Sequence, residues 1–325
     1  MEQAPEAILN VLIIGAGQIG AFYDTPQDVA ILTHAHAFTA DPRFRLVGFY
    51  DAQPSRSQQA QARWGGQAFS SVAAAFQNQA IDIACITAPD EVHAELLQKL
   101  ATYPVQLVFC EKPLATDLNQ ADRILSLYQQ QSIALAVNYT RRYVPQLQTL
   151  RRNIQTGRYG DFIGGCGMYG KGLLHNGSHL LDLVQFFVGT LSPVADHKSI
   201  GETIYDYTES DPSVSALLES TRQKQFYLKA IDSRLYTLME IDLMFERGRI
   251  RLSECCRQLE IFDIAPDPLF AGYQGLRPTS CEMTDYTRAL AFAADNLYQA
   301  LRHGAPLLCS GRDALQTLKL CKSLI

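Results

Sequence analysis

The chain has 325 residues, 47% of them hydrophobic, and a formal net charge of −5. That length is a prior for about two domains. Its apolar runs are too short and interrupted for a transmembrane helix, and with no basic run nucleic acid is excluded as an expected partner. Eight cysteines are scattered without a CxxC pair. Cys255 and Cys256 are adjacent, poor spacing for a shared metal site or an ordinary structural disulfide, so free thiols in a reducing compartment are expected. Glu2 and Glu6 stand where a secretory leader would be basic, and the run Val11–Ile14 leads directly into glycines. A cytoplasmic protein is therefore expected.

The first half alternates strand and helix. Asn10–Ile14 (NVLII) reads as a buried parallel strand. Further apolar runs follow at Leu46–Tyr50, Ile81–Thr87, Val105–Cys110 and Ile133–Val137. Helix-like stretches separate them, among them Ser70–Gln77, Asp90–Ala101 and Asp117–Gln130. The Gln/Ala-rich stretch Ser57–Gln79 reads as solvated helix surface. This alternation predicts a doubly wound parallel sheet, an α/β domain over residues 1–137.

From about Asn138 the pattern changes. Strands are expected at Asp161–Tyr169, Ser199–Tyr207, Val214–Ser220 and Gln225–Ile231, with a hairpin in MEIDLMFERGRIRLSE turning at Arg247–Gly248. Few helices intervene, which predicts an α+β domain over residues 138–325 with a mostly antiparallel open sheet. The Pro/Gly-rich segment Ile264–Ser280 reads as a long loop, a lid, an oligomer contact or a plain surface connection. A long helix is expected over roughly Glu282–His303, ended by Gly304 and Pro306.

The first strand runs into GAGQIG, and Gly15, Gly17 and Gly20 fit G-x-G-x-x-G. The first glycine permits a tight turn, the second lets a pyrophosphate approach the backbone, and the third lets helix and strand pack closely. The helix that follows is expected to offer its first amides to the phosphates. Placed after the first strand of a strand–helix series, the motif predicts a dinucleotide site. Asp51 closes the second strand, where a carboxylate accepts hydrogen bonds from the adenosine ribose. A 2′-phosphate about 4 Å away would cost roughly 1–4 kcal/mol, which favours NAD over NADP. Arg56 is near enough to soften that preference. Asp51 comes later than about 20 residues after the glycines, so YDTPQDVAILTHA is expected to hold an insertion.

Two later strands end in TAPDEVHAE (Thr87–Glu95) and CEKPLA (Cys110–Ala115). Ligands of such sheets lie at the carboxyl ends of the strands, which places Lys112 at the cleft. Taken together, GAGQIG, Asp51, TAPDEVHAE, CEKPLA, NYTRRYVP (Asn138–Pro145) and GSHLLDL resemble the glucose–fructose oxidoreductase/inositol dehydrogenase (Gfo/Idh/MocA) family over nearly the whole chain. The resemblance implies a Rossmann domain and a second domain whose open sheet often joins protomers, hence a homo-oligomer, dimer or tetramer. It implies NAD and a sugar, polyol or nucleotide-sugar substrate between the domains. The cofactor residues it implies are Gly15, Gly17, Gln18, Ile19, Gly20, Asp51, Thr87, Pro89, His93, Glu111, Lys112, Asn138 and Arg142. It also gives Lys112 a contact to the substrate hydroxyl and the nicotinamide ribose, and a bond to Pro113 that is often cis.

LLHNGSHLLDL carries His175 and His179. His179 matches the family's acid/base histidine, and an imidazole with an ordinary pKa near 6.5 can take a hydroxyl proton near neutrality. His175 stands where the family usually has Asp; imidazole can donate or accept, whereas an ionised carboxylate only accepts. A zinc site would need a third ligand and the H-E-x-x-H pattern, which is absent, so no metal is expected. Asn176 or Ser178 reads as a helix N-cap, and Asp182 can orient His179 or cap a surface. The expected activity is hydride transfer between NAD and a secondary hydroxyl, with Lys112, His179 and His175 at the chemistry. The alternatives are an NAD-dependent glycosidase using transient oxidation and a non-catalytic NAD-binding sensor.

Overall fold

The structure is a computed structural model and describes residues 7–194 and 199–325. Glu2 and Glu6, on which the reading of the N-terminus rests, lie outside the described residues. The chain forms two compact units, Met1–Tyr143 with Thr287–Leu315, and Val144–Tyr286 with Gln316–Ile325.

In the first unit the elements run β1 (Leu9–Ile14), α1 (His34–Thr39), β2 (Phe44–Tyr50), α2 (Pro54–Trp64), β3 (Gln67–Phe69), α3 (Val72–Asn78), β4 (Ile83–Ile86), α4 (His93–Leu100), β5 (Leu107–Cys110), α5 (Leu118–Gln130) and β6 (Ala134–Val137). All six strands pair in parallel in the order β3-β2-β1-β4-β5-β6. Val11, Leu12, Ile13, Ile83, Ala84 and Leu107 have no exposed surface. That is why these strands read as continuous apolar runs: both faces of the sheet are covered.

Helix starts follow side-chain caps. The Ser71 hydroxyl accepts from Ala74 N (3.0 Å), and the Asp117 carboxylate accepts from Gln120 N (2.9 Å). The Gln/Ala-rich stretch proves less uniform than expected, because β3 interrupts it and Ser57, Ala60 and Trp64 of α2 are buried. Gly48 makes the β2–β3 pairing possible: a Cβ there would lie 2.0 Å from the Gln67 carbonyl oxygen.

The helix expected after the glycine loop is broken. Gln18–Phe22 form a single π-type turn, and the chain then wanders to α1. Asp24 organises this inserted stretch from inside. Its carboxylate accepts from Leu32 N (2.6 Å), Thr33 N (3.2 Å) and Thr33 Oγ (2.5 Å), and it meets His36 Nδ1 (2.9 Å). Thr33 then caps α1 by accepting from His36 N (3.1 Å).

The second unit opens with α6 (Pro145–Gln155), β7 (Phe162–Tyr169) and α7 (Ser178–Val188). Then come β8 (Leu191–Pro193), β9 (Ile204–Thr208), β10 (Asp211–Ser213), β11 (Ala216–Ser220), β12 (Gln225–Ala230), β13 (Met239–Phe245), β14 (Gly248–Ser253), β15 (Gln258–Pro266) and β16 (Gln274–Met283). Eight of these strands form one sheet, β16-β15-β14-β13-β7-β12-β11-β8, in which only β7 and β12 run parallel; β9 and β10 pair separately. Side chains alternate in burial along β12 and β13, as a sheet covered on one face requires. On the buried face α7 lies close, so that a Cβ on Gly167 would meet Leu180 Cδ2 at 2.8 Å. The other face carries cross-strand charge pairs such as Arg251 with Glu260 (3.1 Å).

Four expectations change here. Ile264–Ser280 is no loop: Ile264–Pro266 finish β15, Gln274 onward is β16, and only residues 267–273 connect them. β16 is the edge strand, where Pro278 is tolerated because one side of the strand needs no ladder bonds. The long helix starts at Ala289, since Glu282 and Met283 pair with Leu259 and Gln258. This last helix of the first unit, α8 (Ala289–His303), ends as expected, with Gly304 at φ +66 and its N–H on Gln299 O. The β13–β14 turn falls at Glu246–Arg247, because Gly248 already pairs with Phe245. The strand expected from Ser199 begins only at Ile204.

Gly48→Ala tests the closest backbone approach in the sheet. It is expected to lower stability by about 1–3 kcal/mol through overpacking, read as a lower urea midpoint at unchanged slope.

Candidate active site

The glycine loop in the first unit is shaped by what lies under it. Gly15 has φ +101, and a Cβ on it would lie 2.5 Å from Ala88 N and 2.7 Å from Thr87 O. A Cβ on Gly20 would fall 2.5 Å from Gly15 O and 2.7 Å from Thr87 Oγ. The Thr87 hydroxyl donates to Gly15 O, and Thr87 N donates to Ile14 O (2.8 Å). Gly17 differs: a Cβ there would meet nothing within 4 Å. So Gly15 and Gly20 are needed by the fold, while Gly17 borders open space of the kind a pyrophosphate would fill. Gln18, Ile19 and Gly20 head the turn that follows, where amides lack intrahelical carbonyl partners.

Asp51, just past β2, is pinned by the backbone. Its Oδ2 accepts from Ala16 N (2.7 Å) and its Oδ1 from Gln53 N (2.8 Å). An ionised carboxylate has about four acceptor positions, so two remain for ribose hydroxyls. Arg56 is exposed on α2.

Lys112 follows β5, 9% exposed, and its bond to Pro113 is cis. Glu111 is held from two sides: its Oε1 meets His34 Nε2 (2.7 Å) and accepts from Asn138 Nδ2 (2.7 Å). Burial opposes the charge on Glu111, but His34, Asn138 and the Lys112 ammonium outweigh it and lower its pKa. Asp90, in the turn after Pro89, is pushed the other way, its pKa raised chiefly by burial although Lys112 and His93 counter it.

Two expected cofactor residues lie beneath the loops. His93 has no exposed surface, and its Nδ1 and Nε2 face Pro113 O (2.7 Å) and Ala88 O (2.9 Å). A carbonyl cannot donate, so both nitrogens must carry hydrogen to satisfy both contacts. Burial works against the resulting charge, yet Cys110 and the two carbonyls prevail and raise the pKa to about 10. Arg142 is buried too, and its Nη1 donates to Asp313 (3.0 Å) and Leu308 O (3.2 Å). Both residues brace backbone and neighbouring side chains from within, which is how such polar groups survive burial. Pro89 is exposed and begins the Asp90–Val92 turn.

In the second unit His175 lies in a π-type turn, Gly172–Gly177, that runs directly into α7, and His179 is in the first turn of α7. Neither Asn176 nor Ser178 is the expected N-cap. The Ser178 hydroxyl donates back to Leu174 O (2.6 Å), and the position before α7 is Gly177 in helical conformation. The cap comes from another strand. The Asp211 carboxylate of β10 accepts from Leu174 N (2.7 Å) and His175 N (2.9 Å). Gly172 at φ +78 leaves room for it, since a Cβ would lie 2.3 Å from Asp211 Oδ2. Asp206 holds the preceding bend by accepting from Lys171 N (2.6 Å). The His175 ring stacks on Tyr207, with centroids 4.3 Å apart and planes 21° off parallel. Asp182 is buried and accepts from Thr317 Oγ (3.1 Å).

Sequence reasoning missed Asp211, Asp206 and His34, because nothing in local spacing pairs them with the turns they hold. Among the described residues no group of three or more His, Cys, Asp or Glu is placed to hold a metal ion. No helix among them is long and apolar enough to cross a membrane.

The strand order 3-2-1-4-5-6 is that of dinucleotide-binding sheets. Residues 9–139 match the family model described as oxidoreductase family, NAD-binding Rossmann fold (Gfo/Idh/MocA). Over these residues the chain is similar to that family. Inositol 2-dehydrogenase of Rhizobium meliloti is 25% identical, over 96% of this chain and 94% of that protein. UDP-N-acetylglucosamine 3-dehydrogenase of Acidithiobacillus ferrooxidans is 26% identical over 43% of this chain and 40% of its own length. A solved structure of that second enzyme covers 97% of this chain and 96% of its own, at TM-score 0.75 and 18% identity, a likeness of fold alone.

Gly17→Ala should leave the melting temperature nearly unchanged, because its Cβ meets open space, yet weaken NADH binding by roughly tenfold or more, about 1.4 kcal/mol, measured by fluorescence titration. His93 makes a pH prediction. Its folded pKa is raised, so its contribution to stability is full below the unfolded pKa near 6.5 and is lost as pH rises through about 10. Melting temperature should fall between those values in the wild type, and less steeply in His93→Gln.

Proposed function

We propose that this chain transfers hydride between NAD and a secondary hydroxyl of a sugar, polyol or nucleotide-sugar derivative. The observation that carries the reading is Lys112: a largely buried lysine at the carboxyl end of β5, in a sheet whose glycine loop leaves Gly17 open. Bound NAD supplies the hydride acceptor. Gly17 and the amides heading the Gln18–Phe22 turn are the groups for the pyrophosphate, and Asp51 for the adenosine ribose. Asp51 also favours NAD over NADP, by roughly 1–4 kcal/mol for a 2′-phosphate about 4 Å from its carboxylate. His179 is assigned to take the hydroxyl proton as the carbon gives up its hydride, and the Lys112 ammonium to stabilise the oxygen as it gains charge.

The named relatives act on inositol and on UDP-N-acetylglucosamine, which supports a polyhydroxylated substrate. His175, in place of the usual family Asp, can donate as well as accept, and its ring stacks on Tyr207, which gives the turn an aromatic surface. We therefore favour a nucleotide sugar or amino-sugar derivative over inositol. The eight cysteines are free, in keeping with a cytoplasmic enzyme, and the open face of the eight-stranded sheet is the surface proposed to join protomers.

The test is NADH absorbance on incubation with NAD and a panel of polyols, sugars and nucleotide sugars. Lys112→Met is expected to abolish turnover while NADH still binds, and His179→Asn to cut kcat by about 100-fold or more. Near-normal turnover in Lys112→Met would overturn the assignment. Release of sugar from a glycoside without NADH accumulation would replace it by transient oxidation.

A further inference from the structure

His34 opens α1, at the end of the inserted stretch that follows the glycine loop, and only 1% of its surface is exposed. One ring nitrogen, Nδ1, lies 3.2 Å from Cys85 Sγ on β4, and the other, Nε2, lies 2.7 Å from Glu111 Oε1. A carboxylate can only accept, so the His34 nitrogen facing it must carry a hydrogen. Burial pushes the Cys85 thiol well above its usual range, so the sulfur keeps its proton beside Nδ1. Nε2 carries the hydrogen that Glu111 accepts. Asn138 donates to the same carboxylate oxygen, and the Thr140 hydroxyl in turn donates to Asn138 Oδ1 (3.2 Å). An imidazole and an amide thus meet on one carboxylate, that of the residue before Lys112, with the thiol behind the imidazole.

We propose that His34 and Glu111 are positioning residues for Lys112: His34 orients the Glu111 carboxylate, and that fixed anion keeps the Lys112 ammonium charged and in place. The catalytic consequence rests on the function proposed above, but the electrostatic link can be read without turnover. The titratable groups facing this pair are His34 on α1, Cys85 on β4, Asp90 and Glu91 in the turn after β4, His93 on α4 and Cys110 on β5. Asp90 also interacts electrostatically with Lys112 and stays in every variant considered, so Glu111→Gln removes the Glu111 charge alone. His93 brings opposing positive charge from below. Among these groups Glu111 is the carboxylate with two fixed donors, and so the one whose position is set independently of Lys112.

The experiment is competitive acylation of the full-length protein with acetic anhydride from pH 6 to 11, reading the extent at Lys112 by peptide mass spectrometry. Glu111→Gln keeps the shape and removes the charge. It is expected to lower the pH of half-titration of Lys112 by about one to two units, the effect of deleting a unit charge several ångströms away at a surface-like dielectric. His34→Leu, which deletes the donor, should move it in the same direction by less, and His34→Gln, whose amide can replace Nε2–H, should restore part of the loss. Lys112 titrating as in wild type in a folded Glu111→Gln would overturn the proposal. If Glu111→Gln does not fold, the His34 pair decides: both variants titrating like wild type overturns it equally. Once a substrate is in hand, Glu111→Gln should lower kcat by about 100-fold with KM little changed, as loss of orientation at a reacting group does. A wild-type protein silent on every substrate would defeat the enzyme reading and leave the Lys112 titration to stand or fall separately.

Discussion

Gly15 marks where the end of β1 is pressed against the chain leaving β4, with Thr87 and Ala88 closer than any side chain would permit. Much of the first unit follows from that contact. It turns the glycine loop, exposes the backbone at Gly17, and uses the Thr87 hydroxyl to close the loop from below. The same segment extends the constraint sideways: Ala88 O holds one nitrogen of His93, and Pro113 O holds the other. One buried imidazole therefore ties the segment under the glycine loop to the turn that carries Lys112. A shift in either loop would leave a buried donor or acceptor unsatisfied, which costs about 1–3 kcal/mol.

Charge burial is managed the same way throughout. A buried ion is tolerated where hydrogen bonds replace its water. Asp24 gathers two amides, a hydroxyl and an imidazole, Glu111 gathers an imidazole and an amide, and Arg142 faces Asp313. These networks join segments distant in sequence. Asp24 and His34 bracket the inserted stretch 24–34, so the departure from the usual spacing between glycine loop and Asp51 is accommodated by polar contacts as well as by core packing.

The second unit positions its histidines by a different device. The π-type turn before α7 has no cap of its own, and the carboxylate of Asp211 takes up two of its amides from a neighbouring strand. Gly172 and the bend held by Asp206 give that carboxylate its room. His175 is thus held by its backbone to Asp211 of β10 and by its ring to Tyr207 of β9.

Local pattern was enough for the parallel sheet. Runs such as Val11–Ile14 and Leu107–Cys110 have an apolar period that only doubly covered strands satisfy, and Gly15, Gly17 and Gly20 announce the turn by their lack of Cβ. The place of Lys112 just past the carboxyl end of a strand was legible as well, because the apolar run before it marks where that strand stops. What stayed hidden depended on partners far along the chain. Ile264–Ser280 looks like a loop by its prolines and glycines, yet an edge strand tolerates them once β15 offers a ladder. Glu282 and Met283 have no local reason to leave the helix register; pairing with Leu259 and Gln258 supplies it. The sequence alone determined which backbone could turn tightly and which runs had to be buried, since those follow from φ freedom and periodicity within a few residues. The tertiary structure decided which polar side chain satisfies which buried group (His34 on Glu111, His93 on two carbonyls, Asp211 on the His175 turn), because a hydrogen bond depends on distance in space and carries no trace in spacing along the chain.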